Sequence, residues 1–190
     1  QGKGPHPTVI LLHGFPGNEG NEDLAHSIKR FGFNALIFHY RGSWGSSGNF
    51  SFSNALKDTE NVLAYIENPN NEETVLKYRI DKRQLILAGH SMGGFLALLA
   101  ASGRDSVKSA ASLAGFNFGF FAKYIEKNPE VKEITMSGLQ FGVDVYGSAE
   151  SDSLFCEMME NKESFDIINY ADSLSKKNIL LAGASYDSTA

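Results

Sequence analysis

Five stretches of the chain are apolar almost without interruption: TVILL (8–12), NALIF (34–38), QLILA (84–88), SAASL (109–113) and NILLA (178–182). None alternates apolar with polar positions, so each predicts a strand covered on both faces, as in a parallel sheet. Between them the apolar spacing changes to that of a helix. Residues 20–31 set Leu24, Ile28 and Phe31 on one face, and residues 53–66 do the same with Ala55, Leu56, Val62, Leu63 and Ile66. Residues 91–102 continue from Ser91 into the small and apolar MGGFLALLAA. Strand alternating with helix predicts right-handed crossovers. The expected fold is a single α/β domain over residues 1–190, with a doubly wound, mainly parallel sheet and helices on both faces.

Residues 114–177 break this rhythm, being far more than one crossover needs. They contain the aromatic FNFGFFAKY (116–124) and two helical stretches near 150–160 and 164–176, the second serving as the crossover. The segment 116–163 is expected to form a lid or cap over the strand ends. An ordinary surface insertion is the plainer alternative, because long insertions cost little.

Composition narrows the function by exclusion. The net charge of −5 is spread along the chain without a Lys/Arg run, so no nucleic-acid or anionic-membrane surface is expected. No apolar run reaches the length of a membrane span. The single cysteine, Cys156, excludes an internal disulfide framework and is expected as a partly buried apolar residue in a helix. The chain has no H-E-x-x-H, paired C-x-x-C or G-x-G-x-x-G, so neither a metal nor an organic cofactor is expected. No sequence feature specifies an oligomeric state.

The chemistry concentrates in LAGHSMGGF (87–95). Gly89 and Gly93 flank Ser91 at minus two and plus two, where a strand must reverse into a helix within a few residues. Side chains at those two positions would collide with neighbouring backbone. The turn would leave the Ser91 hydroxyl exposed at a helix start, where amides and the helix dipole favour developing negative charge.

With a strand before it and a small-residue helix after it, this G-x-S-x-G resembles the nucleophile elbow of the α/β-hydrolase superfamily. Two further motifs carry the resemblance. LLHGFPGN (11–18) looks like the family's "HG" oxyanion loop, which implies the amide of Met92 and that of Phe15, or less readily Gly14, as oxyanion donors. HYRGSWGSSGNF (39–50) resembles the YRGxGxSxG loop of the branch that holds dienelactone-hydrolase-like and prolyl-oligopeptidase-like serine hydrolases, with one residue more, Trp44. Arg41 would anchor this loop or bind a substrate carboxylate. Trp44 would line the acyl site or pack the scaffold. Among the aromatics Phe116, Phe118, Phe120, Phe121 and Tyr124, Phe120 and Phe121 are the candidates for an apolar acyl-pocket wall, with simple core packing as the alternative.

The resemblance also implies a triad in the chain order serine, acid, histidine. Asp187 in GASYDSTA (183–190) stands where the acid belongs, a solvated turn aspartate being the alternative; Asp144, Asp166 and Asp172 are poorer placed. No histidine follows it. His90 leaves the turn on the other side from Ser91, His13 braces the "HG" loop, His39 belongs to its own loop, and His6 and His26 are expected at the surface. The base is therefore expected beyond Ala190. The chain is expected to lack family elements at both ends: two opening strands, and the last strand–loop–helix unit.

The implied function is a serine hydrolase that cleaves a carboxylic ester, thioester or peptide-like acyl bond of a small-molecule substrate, through a Ser-His-Asp triad and an acyl-enzyme. Two other classes use the same features. One is a non-catalytic binding protein of this fold. The other is an acyltransferase that passes the acyl group to an alcohol or amine.

Overall fold

The apolar runs pair as strands of one parallel sheet. The computed structural model describes residues 4–18 and 20–185. Five strands, β1 (His6–Leu12), β2 (Asn34–Ile37), β3 (Ile80–His90), β4 (Val107–Leu113) and β5 (Asn178–Ala182), form one sheet in the order β2-β1-β3-β4-β5, and every pairing is parallel. Helices α1 (Glu22–Arg30), α2 (Phe52–Glu67), α3 (Glu72–Lys77) and α4 (Met92–Ser102) connect the first four strands. Three more, α5 (Phe118–Lys127), α6 (Lys132–Tyr146) and α7 (Ser151–Glu160), precede the short α8 (Ala171–Leu174), which leads into β5. The chain has the doubly wound α/β fold its pattern predicts.

The side chains of β1 face alternate sides and so feed two cores. Ile10 and Leu12 join Leu85, Leu87 and Ala110 in the larger core beneath α2 and α4. Val9 and Leu11 join Ala25 of α1 and Ala88 in the smaller one. Helix α4 is buried at every position from Met92 to Ala101, which explains why its sequence has no polar face. Each large side chain it buries, such as Leu96 or Phe95, stabilises the fold by about 1.5–3 kcal/mol.

Four sequence expectations are corrected. The α1 face rests on Ala25 and Ile28, as expected for Ile28 but not for the other two: Leu24 is exposed, and Phe31 closes the helix and is 82% exposed. β5 is as apolar as the central strands yet largely exposed, with Leu180 and Leu181 open, because among the described residues it lies at the sheet edge and pairs with β4 alone. The stretch 164–176 is not one helix. Asp166 caps a 3-10 turn over Ile167–Tyr170 by accepting from the Ile168 amide at 3.2 Å, and only Ala171–Leu174 is α-helical. Cys156 lies on α7 but is exposed rather than partly buried.

Between β4 and β5 the chain builds helices that pack inward. Phe118 and Ala122 of α5, Leu139 and Val143 of α6, and Leu154 and Met158 of α7 all enter the larger core. The Phe118 ring lies 4.3 Å from that of Phe52 and 5.0 Å from that of Phe95.

Candidate active site

Ser91 links the end of β3 to the start of α4 with φ 54° and ψ −122°, a backbone conformation costly for any residue with a Cβ. Its surroundings hold it there. The Ser91 amide donates to the Leu113 carbonyl at the end of β4 (3.0 Å). Its carbonyl accepts from Gly94 (3.0 Å), Phe95 (3.2 Å) and Phe116 (3.3 Å). The side chain accepts no capping hydrogen bond from its own helix.

The flanking glycines are required by close approach, as the spacing predicts. A Cβ on Gly93 would sit 2.6 Å from the Leu12 carbonyl carbon and 2.8 Å from the His13 oxygen, and closer still to the Leu12 oxygen. A Cβ on Gly89 would sit 2.7 Å from the Leu12 oxygen and would overlap Gly93 backbone. These contacts arise because β1 and β3 are neighbours, with Leu12 opposite Gly89. The loops after both strands therefore open side by side at one end of the sheet, the position of ligand sites in open α/β folds.

The loop after β1 is braced from several sides. Buried His13 uses Nδ1 against the Gly14 carbonyl (2.8 Å), and its ring lies 4.3 Å from Tyr40 and 5.6 Å from His39. The Tyr40 hydroxyl donates to the His13 carbonyl at 3.1 Å. The Phe15 ring sits among Phe50 (5.3 Å), Phe52 (5.8 Å) and Tyr146 (5.4 Å). Trp44 donates its indole N–H to the Pro16 carbonyl at 2.9 Å and meets the Tyr146 ring edge-on, leaving the indole 42% exposed.

Arg41 is committed to the scaffold. Its amide donates to Asp58 Oδ2 (2.8 Å), its Nε to Oδ1 (2.9 Å), and its Nη2 also contacts Oδ1. This ion pair, by hydrogen bonding first and by charge second, raises the guanidinium above its ordinary value. Sequence reasoning placed Arg41 as the anchor but missed Asp58. The available signal was an aspartate, in KDTEN, nearly two turns into a helix that starts soon after the loop.

Phe116 and Phe121 lie together with ring centroids 4.9 Å apart, and Phe121 stacks on Tyr124. Phe116 brings this group to the elbow through its backbone N–H, which donates to the Ser91 carbonyl. Phe120 is on the same helix but 62% exposed. Asp187 and the residues around it lie outside the described residues. β5 ends at Ala182, whose carbonyl accepts from Ala114 at 2.6 Å, so the chain leaves β5 at the same sheet end as the elbow. Of the other carboxylates, Asp144 accepts from Gln140 (2.6 Å), Asp172 starts α8, and Asp166 is buried and bonded to Asn117 (3.0 Å) and Lys123 (3.0 Å). Burial pushes the Asp166 carboxyl up, but the bonds from Asn117, Lys123 and the Ile168 amide outweigh it and hold the group below its ordinary value. His6 begins β1 opposite Ile80, the far end of β3 from Ser91, and His26 is on α1.

A cavity of about 1150 Å³ lies elsewhere. It borders edge strand β2 and is lined by His6, Thr8, Asn34 and Ile80 at the beginnings of the strands. The strained serine and braced loop identify the site better than that volume does. Among the described residues, no group of three or more His, Cys, Asp or Glu side chains could hold a metal ion, and no helix is long and apolar enough to cross a membrane.

A family model described as the alpha/beta hydrolase fold matches residues 7–140. The chain is 31% identical over 121 residues to an Escherichia coli protein named "Uncharacterized 31.7 kDa protein in traX-finO intergenic region", a match covering 63% of this chain and 41% of that one. A second Escherichia coli protein of the same name is 30% identical with the same coverage. The matched region thus spans less than half the length of these curated relatives. Among solved structures, a Lactococcus lactis protein described as a sugar hydrolase (YeeB) aligns with TM-score 0.59 and 16% identity, covering 100% of this chain and 82% of that one. The Pyrococcus furiosus esterase PF2001 aligns with TM-score 0.57 and 20% identity, covering 94% and 60%. The Penicillium sp. sh18 α/β hydrolase GrgF gives 0.55 and 12%, covering 96% and 83%. At these identities the structural likenesses establish the fold.

Proposed function

The chain belongs to the α/β-hydrolase fold family, and on that premise we propose that it is a serine hydrolase whose nucleophile is Ser91. The observation that carries this reading is the Ser91 backbone, held at φ 54° and ψ −122° between two glycines that tolerate no Cβ. Such strain persists only where the surrounding structure over-determines it, and it concentrates at functional sites.

In the proposed reaction Ser91 Oγ attacks the carbonyl carbon of an ester, thioester or peptide-like acyl bond. The hydroxyl proton passes to a general-base histidine oriented by Asp187. The amides of Met92 and Phe15 hold the oxyanion; the first opens α4, where the helix dipole also favours negative charge. Collapse of the intermediate expels the leaving group, which takes the proton from the histidine, and leaves an acyl-Ser91. Water, deprotonated by the same histidine, then releases the carboxylic acid and restores the hydroxyl. The YRGSWGSSG loop supports the dienelactone-hydrolase-like or prolyl-oligopeptidase-like branch. Trp44, Phe120 and Phe121 are the proposed apolar contacts of the acyl group.

The test is hydrolysis of a series of aryl esters and thioesters by the full-length protein. Ser91→Ala is expected to lower kcat by roughly 10³-fold or more while the protein stays folded. An undiminished rate in the folded Ser91→Ala variant would overturn the proposal.

A further inference from the structure

We propose that Gly142 of α6 is a positioning residue for the oxyanion loop, an inference that rests on the hydrolase reading above. A Cβ on Gly142 would stand 2.9 Å from Phe15 Cδ1, and closer still to Cε1 and Cζ of the same ring. Real Cβ atoms essentially never approach a neighbour so closely. The backbone of α6 and the ring of the oxyanion-loop residue are thus seated directly on one another.

Neither partner can withdraw easily. The Phe15 ring is enclosed by Phe50, Phe52 and Tyr146, and Tyr146 lies one helical turn beyond Gly142 on the same face of α6. On the other side, Trp44 holds the Pro16 carbonyl at 2.9 Å. Helix α6 itself is fixed by buried Leu139 and Val143, and just past its end Ser148 donates its hydroxyl to the Gly42 carbonyl. With the ring trapped and the helix anchored, a methyl group at position 142 displaces the Phe15 main chain. That movement shifts the N–H that the mechanism aims at the oxyanion. The absence of a side chain at Gly142 therefore sets where this donor stands, although Gly142 touches neither substrate nor Ser91. A donor displaced from the oxyanion costs about 10²-fold in rate with little change in ground-state binding.

Gly138 supplies the control, because it lies one turn earlier on the same helix and a Cβ there meets nothing within 4 Å. The experiment measures Ser91-dependent fluorophosphonate labelling and ester kinetics in the full-length protein and in Gly142→Ala, Gly138→Ala, Phe15→Leu and the Phe15→Leu/Gly142→Ala double variant, with circular dichroism as the check on folding. Gly142→Ala is expected to lose about 10²-fold in labelling rate and kcat at nearly constant KM, and Gly138→Ala to match the parent. The smaller leucine makes room for the new methyl, so adding Gly142→Ala to Phe15→Leu is expected to cost less than about 10-fold. A folded Gly142→Ala variant with the parental rate overturns this proposal alone. A full 10²-fold loss that persists in the Phe15→Leu background also overturns it. Absence of Ser91-dependent labelling in the parent overturns the hydrolase reading, and this proposal with it. If Gly142→Ala does not fold, Phe15→Ala replaces it: releasing the loop from α6 is expected to slow labelling by a similar factor, and an unchanged rate overturns the proposal.

Discussion

The carboxylate of Glu157, on α7, caps the first turn of α2 at Phe52 from across the molecule. Oε2 accepts from the Phe52 amide and Oε1 from the Ser53 amide, both at 2.8 Å. Ser51 caps the next free amide, that of Asn54, from within the chain at 3.1 Å. A helix start has several unsatisfied N–H groups and partial positive charge, so a bidentate carboxylate suits it. The contact ties the segment between β4 and β5 to the helix that carries Asp58, and through it to the loop of Arg41 and Trp44.

Replacing Glu157 with alanine is therefore expected to lower stability by about 1–2 kcal/mol, and with glutamine by less, since one acceptor remains. Urea unfolding monitored by circular dichroism measures this, with the slope unchanged and the midpoint lowered.

At the elbow, Gly93→Ala places a methyl group against Leu12 and His13 backbone that neighbouring strands hold in register. A loss on the order of 3 kcal/mol is expected from overpacking against backbone. Gly103→Ala, where nothing lies within 4 Å, is expected to stay within about 0.5 kcal/mol of the parent. Thermal melting of the two variants side by side checks the contrast.

The Asp166 network makes a pH-dependent contribution of definite sign. Its folded carboxyl lies below the ordinary value despite burial, so its stabilisation is complete above the unfolded pKa of about 3.9 and is lost as pH falls through the folded value. Asp166→Asn is expected to destabilise the protein at neutral pH by about 1–2 kcal/mol. Below about pH 4 its stability and the parent's are expected to converge. Denaturant titrations at pH 7, 5 and 3.5 test the convergence.

The strands were legible because their short, uninterrupted apolar runs, rich in branched residues, suit strands covered on both faces, and β5 matches its run residue for residue. The elbow was legible because its glycines answer a steric demand that sequence spacing records. Helices α5 and α6 were not, since FNFGFFAKY and ITMSGLQFGVDVY hold glycines and branched or aromatic residues that weaken the local helical signal. Packing of Phe118, Leu139 and Val143 against the core supplies what propensity does not. The seat of Phe15 on Gly142 and the cap of Phe52 by Glu157 join residues more than a hundred positions apart, a distance at which local patterns carry no information.

The most direct test of the central claim locates a covalent adduct. The full-length protein is treated with a fluorophosphonate and digested with trypsin, and the fragment Gln84–Arg104, which contains both Ser91 and Ser102, is sequenced by mass spectrometry. The account predicts one adduct, on Ser91. An adduct on Ser102 or on any serine outside this fragment, or none on the folded protein, would contradict it.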